Sequence, residues 1–262
     1  MKNFFKNIGS KIKKGWNALK SYKFSSYMLV VTIFYAMGSI LINLMAIRTF
    51  GYYDGFTPII QVSTAGSLIS WLVFACMDIV TEVSGKKKAI QMFWITGILN
   101  VVLTGIAALA CLIPGTPGTE EAYKGVFGYN WGIALASIAA FLLGNYTNAL
   151  IMFIMKTRSS DPKSGKGFTF RLIVSTLIGQ FIDNAFFYIL ALAPGFGIGG
   201  LSNEFVRCAN WGLLWMMVGF TTAIELVVEA VFSPLFHKFS RFLIAKQKQE
   251  GLVPEEYKKL EE

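Results

Sequence analysis

The stretch "RLIVSTLIGQFIDNAFFYILALA", residues 171–193, decides how the chain is read. Its 23 residues are mostly apolar, and at 1.5 Å per helical residue they can cross the ~30 Å hydrocarbon core of a bilayer. Yet Gln180 and Asp183 interrupt its middle. A carboxylate at membrane depth costs roughly 3 kcal/mol on insertion scales, so Asp183 has to face something other than lipid. Residues four apart share a helix face. Counting in fours through Asp183 gives Arg171, Ser175, Gly179, Asp183 and Phe187 on one line, with Gln180 beside it. Ile173, Leu177, Ile178 and Leu190 are left for lipid or for neighbouring helices.

Five more apolar stretches, 26–47, 57–80, 89–113, 131–155 and 211–236, are long enough to span a bilayer. Composition agrees, with 54% hydrophobic and 15% charged residues, against about 25% charged in soluble domains. Lipid cannot satisfy backbone polar groups, so such runs must be helices; none alternates as barrel strands do. The expected fold is an all-α integral membrane protein, a bundle of six transmembrane helices. Of the 24 Lys and Arg residues, 21 lie in 1–25, 81–88, 156–171 and 237–262. This positive-inside bias predicts that both termini are cytoplasmic in a multi-pass protein of the cell membrane. The net charge of +9 is that topological signal, and it gives no support for nucleic-acid binding. The lipid bilayer is the expected partner.

Three segments follow. Residues 1–25 read as a basic amphipathic cytoplasmic segment, with Ile8, Ile12, Trp16 and Leu19 at helical spacing among lysines; it lacks the short apolar region and cleavage site of a signal peptide. Residues 26–238 form the six-helix membrane domain, and 239–262 a charged cytoplasmic tail. Between the third and fourth spans, "PGTPGTEEAYKGVFGYN" reads as an external loop of turn formers.

Polar stripes recur. The second span carries Gly66, Ser70, Phe74, Asp78 and Glu82; the fourth Gly144, Asn148, Met152 and Lys156, with Asn145 alongside; the sixth Thr221, Glu225, Glu229 and Ser233. Close helix packing explains small residues at this spacing, and asparagines also serve as interhelical hydrogen-bond glue. Membrane acids, by contrast, mark substrate or ion routes. Asp78, Asn148, Asp183 and Glu229 are therefore expected to face one central cavity. Glu82 is expected to pair with Lys156 or Arg171 as an inner gate at the basic end. Catalytic signatures such as H-E-x-x-H, G-x-S-x-G, C-x-x-C and a Walker loop are missing, and His237 is the sole histidine. Cys76, Cys111 and Cys208 stand at no metal-ligand spacing. No enzyme activity, metal or cofactor is expected.

"DIVTEVSGKKKA" (78–89), "GNYTNALIMFIMK" (144–156) and "RLIVSTLIGQFIDNAFFYILA" (171–191) resemble the queuosine precursor transporter family, also called the vitamin uptake transporter family. The matching residues are Asp78, Thr81, Glu82, Gly85, Asn148 and Lys156, then Arg171, Ser175, Thr176, Gly179, Gln180, Asp183 and Phe187, with Asn43 a weaker match. The resemblance implies import of 7-deazaguanine precursors of the tRNA nucleoside queuosine: the 7-cyano or 7-aminomethyl base, or queuine. A carboxylate can accept two N–H bonds from a guanine-like edge, an amide can complement its carbonyl, and a ring can stack on it. The implied substrate-binding set is Asp183, Gln180, Asn148, Phe187, Asp78, Glu229 and Asn145. The chain departs from the family pattern at Asn145 (usually Glu), at Ser84 (usually Tyr) and in lacking a basic residue near Glu225. These departures leave ligand preference and any coupling ion open, as is homodimerisation. An alternative is a substrate-binding subunit of an energy-coupling-factor transporter, but the first span lacks the A-x-x-x-A docking patch of such subunits.

Overall fold

The computed structural model describes residues 25–252 apart from 47, 55–56, 117, 129, 160–163 and 196–207. The amphipathic segment expected over residues 1–25 lies outside the described residues except for Ser25, as does the tail beyond 252. Six helices are long and apolar enough to cross a membrane: α1 (Ser26–Met45), α2 (Ser67–Ser84), α3 (Lys86–Ala110), α5 (Asn130–Thr157), α6 (Gly165–Leu192) and α7 (Trp211–Gln249). The short helix α4 (Thr119–Tyr123) and a wide turn at Lys124–Gly128 occupy the loop between α3 and α5. The chain is a six-helix, multi-pass membrane protein.

An antiparallel hairpin, β1 (Thr49–Asp54) and β2 (Thr57–Thr64), lies where the second span was expected to begin. That span starts at Ser67 instead of 57. Pro58 has no N–H to give a helix, and "IIQVST" is rich in β-branched residues that favour extended backbone. Asp54-Gly55 at the tip is a hairpin-turn signal. A two-stranded ribbon is marginal alone; this one is pinned to the bundle by Ser63, whose hydroxyl meets Thr221 at 2.6 Å and Tyr188 at 3.1 Å.

The helices differ in how much of their surface they bury. The peripheral helix α1 buries one residue per turn (Met28, Val31, Tyr35, Ser39, Asn43) and α3 does the same (Ala89, Met92, Phe93, Thr96, Asn100). Their other faces expose Leu29, Phe34 and Met37, and Ile98, Val102 and Ile106, as a lipid-facing surface should. The central helix is α2, with 78% of its apolar window inside the protein against 22% for α3. Gly85 joins the two at φ 85°, a conformation that a side chain would strain, and so allows the sharp reversal.

Helices α5 and α6 approach most closely. A Cβ at Gly144 would come within 2.5 Å of Asp183 Cβ, and one at Gly179 within 2.6 Å of Asn148 Cβ. Only hydrogen fits at either position, so the stripe of small residues read in the sequence is a backbone-to-backbone contact. Helix α7 passes through Pro234 and continues to Gln249, across the 238/239 boundary expected for the tail. His237 therefore lies inside this helix, against Phe168. Two apolar clusters fill the bundle, one toward the hairpin end (Ile133, Tyr188, Leu214, Met217) and one toward the basic end (Met77, Met92, Phe168, Leu243).

Candidate functional site

All six long helices and the end of β2 line one cavity. Its position follows from the stripes. Asn43 of α1, Phe74 of α2, Phe93 of α3 and Phe141 of α5 lie on the buried faces of their helices and turn into the same space. Helix α6 contributes Asp183, Asn184 and Phe187, and α7 contributes Thr221 and Glu225. The hairpin closes the opposite side through Thr64. Aromatic walls with a few polar groups suit a small planar molecule.

The two carboxylates of the wall differ in their surroundings. Glu225 accepts a short hydrogen bond from Ser70 and another from Asn184 at 2.9 Å. Asp183, by contrast, makes no hydrogen bond or ion pair among the described residues, and its side chain is held by Gly144 packed against its Cβ. Its acceptors are directed at the cavity and are available to a ligand. Across the space Asn43 donates to Asn100 at 3.2 Å, which leaves Asn43 Oδ1 without a partner.

One turn toward the basic end, the remaining expected residues form a separate, fully buried layer. Asn148 donates to Asp78 at 2.7 Å, Gln180 donates to Glu229 at 3.0 Å, and Thr176 donates a short bond to the other Glu229 oxygen. Asn145 is buried beside this layer with neither amide atom bonded. Of the expected substrate-binding set, then, Asp183 and Phe187 line the cavity, whereas Gln180, Asn148, Asp78, Glu229 and Asn145 do not. The reason is the Gly144–Gly179 contact: where two helix backbones touch, no room remains for a ligand.

A third layer closes the basic end. Glu82 of α2 pairs with Lys156 of α5 at 3.4 Å and with Arg171 of α6 at 3.2 Å. Lys156 also donates to the Glu82 backbone carbonyl. Both partners expected for Glu82 are thus engaged at once, and all three side chains are buried. Beyond them Gln247 of α7 donates to Ser84 at 2.7 Å. The cavity is sealed on this side.

Sequence reasoning passed over Glu225, Asn184 and Asn100 as wall residues. Two left a signal: Glu225 lies one turn from Glu229 in the same stripe, and Asn100 interrupts the middle of an apolar span. The basic residue expected near Glu225 is replaced in function by hydroxyl and amide donors. Among the described residues, no group of three or more His, Cys, Asp or Glu side chains could hold a metal.

A family model described as "Putative vitamin uptake transporter" matches residues 64–238, which is 175 of the 262 residues. No curated protein and no solved structure matches the chain.

Proposed function

The chain belongs to the vitamin uptake transporter family and is therefore a membrane transporter, and we propose that its cargo is a 7-deazaguanine precursor of queuosine, held in the central cavity. The observation that carries this reading is Asp183, a carboxylate with both oxygens free, facing a cavity walled by Phe74, Phe93, Phe141 and Phe187. A guanine-like edge presents a ring N–H and an exocyclic amine side by side, and one carboxylate accepts both. Such charge-assisted, paired hydrogen bonds are the strong ones. Phe187, one turn from Asp183 on α6, offers a flat face to the ring. Glu82, Lys156 and Arg171 act as the inner gate that must open for release.

The test is tRNA queuosine content in a host unable to make the precursors, with this gene supplied and each base added in turn. Restoration by 7-cyano-7-deazaguanine, 7-aminomethyl-7-deazaguanine or queuine identifies the cargo; restoration by none of them defeats the substrate assignment. Uptake of the same base into vesicles holding only the purified chain separates a self-sufficient transporter from a subunit that needs an ATP-driven partner.

A further inference from the structure

The layer beneath the cavity has a chemical peculiarity. In both of its amide–carboxylate pairs the N–H end of the amide is turned to the acid: Asn148 Nδ2 to Asp78 Oδ1 at 2.7 Å, and Gln180 Nε2 to Glu229 Oε1 at 3.0 Å. With Asp78 and Glu229 ionised, flipping either amide would set a carbonyl oxygen against a carboxylate, so the charged state fixes both orientations. What is left over is one-sided. Asp78 Oδ2, Asn148 Oδ1 and Gln180 Oε1 are all fully buried and without a hydrogen-bond partner. All three are acceptors.

The residues that carry these oxygens are neighbours: Asn148 is bonded to Asp78, and Gly179, next to Gln180, packs directly on Asn148. Asn145, three residues before Asn148 and equally buried, has both amide atoms unpartnered and so can supply a fourth carbonyl oxygen. Orphaned acceptors and carboxylates buried without a cation are each costly. The cations nearest along the helices, Lys156 and Arg171, are engaged with Glu82 in the layer beyond.

We propose that this layer is a sodium-binding site, with Asp78 Oδ2, Asn148 Oδ1 and Gln180 Oε1 as its ligands and Asn145 beside them. A hard cation takes oxygen ligands, and it satisfies in one step every acceptor that the amide orientations strand. A proton would not, because a protonated Asp78 has one O–H to offer and strands at least one of the two carbonyl oxygens. Glu229 is not a ligand; both its oxygens are occupied by Thr176 and Gln180, and it carries the second charge in a hydrogen-bonded state. The site lies between the cavity and the gate, where occupancy can be sensed by both. Residues that the resemblance assigned to the substrate are thereby assigned to the ion.

The site is independent of the cargo's identity, so it is tested with the cation alone. Purified full-length protein is heated in NaCl, KCl or choline chloride at constant ionic strength. A ligand that binds only the folded state raises the midpoint with its concentration in a saturable way. The expected result is saturable stabilisation by sodium only, with the half-saturating concentration raised at least tenfold in both Asp78→Asn and Gln180→Met. Radioactive sodium binding to the wild-type chain, competed by unlabelled NaCl but not by KCl, gives a readout that survives if either variant does not fold. Equal stabilisation by all three salts, a sodium response unchanged in folded variants, or stabilisation by acid without any sodium response would each overturn the proposal.

Discussion

At the scale of single residues, Asp183 and Phe187 were legible in the sequence because membrane acids are rare and a four-residue step fixes which neighbour shares their face. Depth along a helix was not legible. Glu225 and Glu229 sit in one stripe, yet Glu225 borders the cavity and Glu229 the layer below. What separates them is where Gly144 and Gly179 bring two backbones together, a fact about a pair of helices that neither stripe contains. Asp183→Asn retains the shape and one acceptor but turns the other into donors. Losing charge-assisted bonds worth ~1.5–3 kcal/mol each weakens binding of a deazaguanine at least tenfold, since ~1.4 kcal/mol is a factor of ten. Affinity and melting temperature measured on the same purified variant check this; unchanged affinity in a folded protein would remove Asp183 as the anchor. Gly179→Ala has the opposite signature. Its Cβ, 2.6 Å from that of Asn148, forces α5 and α6 apart, with overpacking costs of ~1–3 kcal/mol. A lowered melting temperature is the expected result.

At the scale of elements, the six helices followed from apolar length alone. The hairpin was missed for a physical reason. Ile59, Ile60 and Val62 run almost directly into the apolar helix after them, and a hydropathy window does not distinguish extended from helical backbone. The turn pair Asp54-Gly55 and Pro58 held the information. The hairpin's dependence on the bundle makes a prediction. Thr221→Val removes the hydroxyl that Ser63 and Tyr188 share, at ~0.5–1.5 kcal/mol for each bond. Amide hydrogen exchange is expected to rise across residues 49–64 and to stay low in α2 and α6; uniform exchange would show that the ribbon is held by other contacts.

At the scale of the whole molecule, charge sets the orientation and the layers set the route. A cysteine replacing Thr119, in a chain stripped of its native cysteines, is expected to react with a membrane-impermeant thiol reagent added outside the cell. Labelling only after the membrane is opened would invert the topology. The basic end makes a further prediction. Glu82→Gln leaves Lys156 and Arg171 buried without their shared acid, and losing one member of a buried ionic pair is severe, at ~3–5 kcal/mol. The seal is expected to loosen, so that uptake falls further than equilibrium affinity for the cargo. Equal loss of both would mean that Glu82 only supports the fold.

The polar layers also divide by chemistry. Asp78, Glu82, Glu225 and Glu229 stand on α2 and α7; apart from Ser70 of α2, the groups that donate to them across the bundle, from Asn148 and Lys156 to Arg171, Thr176, Gln180 and Asn184, stand on α5 and α6. Asp183 is the one acid of α5 and α6, and it borders the cavity. Along α6, Thr176, Gln180 and Asn184 recur every fourth residue against Glu229 and Glu225 of α7, themselves four apart, like teeth cut to one pitch. A slide of one helical turn, ~5.4 Å, would set Gln180 in the place of Asn184 beside Glu225 and leave that acid with an amide donor.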